Sequence, residues 1–453
     1  MNEDNTVVHL DPLALVTRDR ELAEKALNRL SLAGQLRVIL SAPLAQREQL
    51  ISLSRHASVL TQALPVEEFW LTLAGMDTGE APALLQFASA EQLEFCIDAD
   101  GWRKDRWQPA PTLRWLQLIA ACGETKVAAW WRTIDPELAV LLMKQWITIY
   151  LRAGDEDVAT VLPWPRPEEP PATFDNAYYF QCQTPQIDEV LRPMLDVLAH
   201  HDMPRLRQLF DATIGAIGAE QEEAAYAARE RRMADMGFPQ LAEAIGCYAR
   251  VRPEQWPALQ RPVDAMTIAG EAAPRFALIP LSASDWLLGQ AMRALDDPED
   301  VDRLALEIAR LANRVVIADG GSITPASVLH AATKALGYVN IGLELVGGNS
   351  LDGAVRALRS WWAQSLFQIG FSAVADLRDR ALALWERLAQ TGAETPDDPE
   401  AALPYERVRA AAWKWPKYYI GPVTPDGVIH RDFRSLADLA AVQTALVALG
   451  YGA

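Results

Sequence analysis

Apolar residues recur at helical spacing through most of this chain, and that periodicity limits its fold more than any other feature. From Asp19 onward Leu22, Ala26, Leu27 and Leu30, then Leu36, Ile39 and Leu40, fall three or four residues apart. Ala42-Pro43 interrupts the pattern and Gln46–Leu60 resumes it. The same spacing predicts helices within Ile187–Ala234, Gln240–Tyr248, Ser284–Ala312, Leu351–Ile369, Val374–Leu388 and Ser435–Leu449. Thr324-Pro325 reads as a helix start after the Asp319–Pro325 turn. Acids preceding arginines in Glu220–Met233 predict a solvated helix.

Residues 60–150 carry an internal correspondence at an offset of 46. Pro65–Trp70 aligns with Pro111–Leu116, Leu73 with Ile119, Leu84-Leu85 with Trp130-Trp131, and Phe95 with Leu141. Ser89-Ala90-Glu91 meets Asp135-Pro136-Glu137, two helix starts with a good N-cap and a first-turn acid. Each copy reads as two or three short antiparallel helices. Neither could bury its apolar face alone, so stacking into a short superhelix is the expected consequence. Seven of the fifteen tryptophans (Trp70, Trp102, Trp107, Trp115, Trp130, Trp131 and Trp146) lie here, and they read as large side chains filling helix–helix interfaces.

Gly154–Pro171 breaks the periodicity with five prolines and a run of acids, so it reads as a linker or domain edge. Thr173–Cys182 is aromatic and β-prone around Asp175-Asn176, which predicts a small hairpin and the only β structure of the chain. The expected fold is therefore mostly α: a helical superhelix of stacked short antiparallel helices, a small β-hairpin and a second helical domain. The expected organisation is a flexible N-terminus over 1–17, a repeat-like domain over 18–153, the proline-rich linker and hairpin over 154–183, a second helical domain over 184–404, and an aromatic-basic loop with a C-terminal helix over 405–453. Thr391–Pro404 reads as a loop.

A net charge of −18 repels nucleic acid and anionic lipid, so neither is an expected partner. The acidic start MNEDNTVVHLDPL has no apolar run and does not read as a signal peptide. No window is apolar enough to span a membrane, and the cytoplasm is the expected compartment. Cys96, Cys122, Cys182 and Cys247 lie far apart in apolar settings and read as buried, reduced thiols.

Several peptides carry a family likeness: Ser89–Asp98, the Thr173–Phe180 hairpin, Met236–Gln240 and Leu366–Phe371. In these the chain resembles a bacterial family classed only as a domain of unknown function, a likeness that covers most of the chain and implies a fold but no chemistry. Residues 60–150 are also similar to the helical repeats of the magnesium transporter's cytosolic domain and of the flagellar motor-switch middle domain. That likeness implies a regulatory or protein-binding module. No magnesium-binding acid of the transporter can be matched here residue by residue.

Motifs for chemistry are scarce. His200-His201-Asp202 cannot chelate a metal without distant partners, because adjacent helical residues point about 100° apart. Asp155-Glu156-Asp157 is followed by prolines rather than alternating ligands and reads as linker. Gly320-Gly321-Ser322 lacks the lysine of a P-loop, and Gly347-Gly348-Asn349 likewise reads as a tight turn. There is no GxSxG, HExxH or GxGxxG, so no catalytic residue, metal or cofactor is assigned. Between 405 and 434 the chain is locally basic with interleaved rings, and Trp413, Lys414, Trp415, Lys417, Tyr418, Arg431 and Arg434 form the candidate binding set. Two functions compete. One is a scaffold or adaptor that binds an unknown protein partner. The other is an enzyme or small-molecule-binding protein with a site between the two helical halves.

Overall fold

The computed structural model describes residues 12–76, 79–262, 273–281, 284–391, 395–422 and 429–451. Among these the fold is mostly α, with strands confined to small antiparallel sheets of two or three. None of the described helices is long and apolar enough to cross a membrane. The chain divides into two compact units, Met1–Met236 with Ser322–Thr324, and Gly237–Gly321 with Pro325–Ala453. Of the N-terminus expected to be flexible, residues 1–11 lie outside the described residues, and Pro12–Leu15 forms a short helix.

In the first unit, the two segments related by the 46-residue offset each form three helices: Val66–Ala74, Ala81–Leu85 and Ala90–Asp100, then Pro109–Ala121, Glu124–Thr133 and Pro136–Trp146. Ser89 closes a capping box with Gln92, and Asp135 accepts from the Glu137 and Leu138 N–H groups. All seven tryptophans of this stretch are buried. Asp100 accepts from two of them, Trp70 Nε1 at 3.2 Å and Trp115 Nε1 at 3.0 Å, so one half-buried carboxylate orients both indoles.

The expected hairpin is present. Ala172–Thr173 pairs with Tyr178–Cys182 across a turn in which Asp175 Oδ1 accepts from Ala177 N and Tyr178 N, while Asn176 takes a left-handed φ of 57°. It is not the only β structure. Ile147–Leu151 completes a three-stranded sheet with the hairpin, and two-residue pairs join Trp102–Arg103 to Arg106–Trp107 and Tyr418–Tyr419 to His430–Arg431. Two-residue strands leave no alternation to read, and Ile147–Leu151 follows directly on the Pro136–Trp146 helix.

Gly218–Asp235 is helical but not solvated throughout. Arg229 Nε donates to the Asp98 carbonyl at 2.9 Å, and Arg232 grips the buried Asp98 carboxylate at 2.8 and 3.0 Å and lies 2.8 Å from Asp135. Arg232 turns inward because its acids, Asp98 and Asp135, lie more than ninety residues away, whereas Arg229 also pairs with Glu230 of its own helix at 3.0 Å. Cys96, Cys182 and Cys247 are buried free thiols, whereas Cys122 is partly exposed.

Glu94 sits beside this network. Burial pushes its carboxyl up to about 7; Arg232 pulls it down, and Asp98 and Asp135 reinforce the rise. Below the ordinary value of 4.5 the folded and unfolded chains are both protonated at this position. Between 4.5 and about 7 the folded chain keeps a proton that the unfolded chain has released, so stability falls as pH rises through that window. Glu94→Gln is expected to remove up to about 3 kcal/mol of that fall. Urea midpoints of both proteins at pH 5 and pH 8 measure it, and equal pH dependence would contradict the assignment.

In the second unit, Pro325–Val346 packs against Pro298–Ala318 and Ala363–Gln390, and every residue from Lys334 to Glu344 is buried. An all-round buried helix must approach its neighbours closely. A Cβ on Gly342 would lie 2.0 Å from the Leu366 carbonyl oxygen, and one on Gly370 would lie 2.0 Å from that of Tyr338. Leu287–Arg293, Leu351–Ser360 and Leu436–Ala448 surround this core. Pro399–Ala411 is a helix where a loop was expected up to Pro404 and irregular chain beyond it. Asp398 accepts from Ala401 N and Pro399 opens the first turn, a start signal that the surrounding acids and prolines masked.

Candidate functional site

The buried Pro325–Val346 helix carries polar side chains that its apolar sequence must satisfy locally, and these build a site. Asn340 Oδ1 accepts from Leu288 N at 2.8 Å, and its Nδ2 donates to Glu344 Oε1 at 2.7 Å and to the Arg434 carbonyl at 2.8 Å. Glu344 Oε2 accepts from Leu436 N at 2.5 Å. One amide and one carboxylate therefore fasten the start of Leu287–Arg293 and the 434–436 segment to a single helix. Between these segments opens a pocket of about 550 Å³, lined by Trp286, Gln290, Asn340, Glu344, Arg431 and Arg434 among others. All its lining residues belong to the second unit.

The two arginines differ in state. Arg431 is committed: its guanidinium donates to both Asp438 oxygens at 2.7 and 2.8 Å and lies 4.6 Å over the Tyr418 ring. Asp438 is placed for this in the first turn of Leu436–Ala448, where it also accepts from Arg434 N at 2.8 Å. Arg434 is uncommitted. Its guanidinium rests 5.4 Å from the Trp286 ring centroid, and its Nε is buried without an acceptor among the described residues. Burial, with Arg431 nearby, lowers the Arg434 pKa from its ordinary value. Burial raises that of Glu344.

The other candidates do not line the pocket. Trp413 and Trp415 are 41% and 38% exposed, and Lys414 is exposed. Trp413 lies against His430 with ring centroids 4.7 Å apart. Lys417 Nζ pairs with Asp432 at 2.7 Å, and Tyr418 stacks under Arg431. Trp415 joins a separate cluster. Lys334 Nζ lies 4.6 Å from its ring and 5.0 Å from that of Tyr248, and bonds both Asp319 oxygens at 2.8 and 3.0 Å. Tyr248 donates to the same Asp319 at 2.8 Å, and burial holds its phenol well above the ordinary range. Of the seven candidates only Arg431 and Arg434 reach the pocket.

Asn340, Glu344 and Trp286 were missed. The signal was present: Asn340 and Glu344 are the strongly polar residues of the apolar run from Ala335 to Val346, and a buried polar group needs a partner. Elsewhere, His201 lies 2.9 Å from Glu124 as a single pair. The described residues hold no cluster of three or more His, Cys, Asp or Glu placed to bind a metal.

No curated protein and no solved structure matches the chain, so the likeness of residues 60–150 to the transporter and motor-switch repeats has no counterpart in those comparisons. A family model does match, over residues 24–451. With nearly its whole length covered, the chain belongs to a family of unknown function, DUF6178.

Proposed function

We propose that the protein binds a small anionic solute in the pocket of its second unit, anchored by Arg434. The observation that carries this is an uncommitted guanidinium held on an aromatic plate at the wall of a cavity of about 550 Å³. That volume falls within the ordinary range for small-molecule sites, about 300–1,000 Å³. The Asn340 and Glu344 struts fix the pocket walls before any ligand arrives, which spares the ligand the cost of ordering them.

Thermal unfolding in a panel of small carboxylates, phosphates and free amino acids tests the reading. A ligand at a hundred times its Kd adds about 2.7 kcal/mol, a rise of roughly 5–10 °C for a unit of this size. Arg434→Gln is expected to abolish the rise. No shift with any compound, or an equal shift in the variant, rules the reading out.

A scaffold or adaptor role is the second reading, favoured by Trp413, Trp415, Ile420 and Ile429 standing exposed together in sequence. It predicts a stoichiometric partner captured from native lysate by the wild type and lost with Trp413→Ser/Trp415→Ser. A clean null across several salt concentrations removes it.

A further inference from the structure

The charges on the pocket wall do not cancel one another. Glu344 holds its carboxylate with two neutral donors, the Leu436 N–H and the Asn340 amide, and makes no ion pair among the described residues. Arg434 also makes none, although both side chains line the same cavity. Asp285 is a second carboxylate on that wall. Arg431 is paired with Asp438 rather than Glu344, and its Nη1 also donates to the Asp432 carbonyl.

A site for a plain anion would not place two carboxylates on its wall, since each repels the ligand at short range. A site for a plain cation would not leave a guanidinium open. A cation without a carboxylate and carboxylates without a cation, set around one cavity, fit a ligand that carries both charges. Resting on the anion-binding reading, we infer that the pocket takes a zwitterion with a free carboxylate and a free ammonium group, its carboxylate on Arg434 and its ammonium on Glu344. The chemistry is shared by a free α-amino acid and a short peptide. Leu287 and Leu351 on the lining offer an apolar surface for a side chain, and Gln290 and Asn349 offer amides for a peptide group. Each end of the ligand gains a charge-assisted hydrogen bond that a blocked derivative loses.

The test is titration calorimetry with glycine, L-leucine, L-phenylalanine and L-glutamine, each as the free acid, the N-acetyl derivative, the carboxamide and the homodipeptide. The free or dipeptide form is expected to bind at least about 10-fold tighter than either blocked form, the scale of one lost hydrogen bond to a charged group. Preference between free acid and dipeptide identifies the source. Glu344→Gln should bring the free and N-acetyl forms to similar affinity, and Arg434→Gln should lose both. If N-acetyl compounds bind as tightly as their parents, the zwitterion inference is overturned and anion binding stands. The same follows if phosphate or succinate binds and no amino compound does. If nothing in either panel binds, both readings fall. The wild-type series decides by itself should a variant not fold.

Discussion

Truncating Glu68 to alanine is expected to cost the first unit about 3–5 kcal/mol, the cost of leaving a buried charge uncompensated. Arg47 and Glu68 are 0% exposed and paired with each other. Arg47 also closes the end of the Leu32–Ser41 helix, with Nη2 donating to the Leu40 carbonyl at 3.0 Å and Nε to that of Ala42 at 3.1 Å. Loss of Glu68 strands a guanidinium where water does not reach. For a unit of this size the melting transition should drop by roughly 6–20 °C. The double variant Arg47→Met/Glu68→Leu removes both charges and should recover much of the loss. It should still fall short of wild type by about 1–3 kcal/mol, because two buried carbonyls lose their donor. Differential scanning calorimetry reads both, and a Glu68→Ala loss below about 1 kcal/mol would refute the argument.

Legibility in the sequence tracks the range of the interaction. Ser89 and Asp135 act on the next three residues, and both cap as their types require. The Asp175-Asn176 turn is equally local, and so is the hairpin it closes. Arg232 is the opposite case. Its acids, Asp98 and Asp135, lie on distant segments, and a pattern of acids near arginines pointed to surface pairing instead. The candidate site divides in the same way. Basic and aromatic residues crowd into 413–434, and the pocket uses Arg431 and Arg434 from that set. The pocket's geometry, however, is set by Asn340 and Glu344, buried about ninety residues earlier in sequence, and by Trp286, some hundred and fifty residues before Arg434. Composition marks where charge is concentrated. It does not reveal which cation the fold leaves without a carboxylate: Asp438 is nearer in sequence to Arg434 than to Arg431, yet it pairs with Arg431.

The close approach of the two central helices in the second unit should tolerate a methyl group poorly, and its failure should be readable at the pocket. Gly342→Ala or Gly370→Ala places a Cβ 2.0 Å from a backbone carbonyl oxygen of the facing helix. Neither Pro325–Val346 nor Ala363–Gln390 can yield locally, because both obstructing carbonyls belong to helices. The helices must separate, at a cost of about 3 kcal/mol or more, the upper end for overpacking. Gly215→Ala is the control: nothing lies within 4 Å of its Cβ, and an exposed helical methyl should be neutral or slightly stabilising. Gly337→Ala should behave differently from both. Its Cβ would sit 2.4 Å from the Phe433 carbonyl oxygen and 3.3 Å from Arg434 Cα, on a segment outside any helix. That segment can move, so stability should fall less than in Gly342→Ala while Arg434 is pushed off Trp286. Measured together, unfolding midpoints and ligand affinity should separate the two glycines, one governing the core and the other the position of the anchor. Equal losses in stability and binding for both variants would mean that the pocket has no structure distinct from the core beneath it.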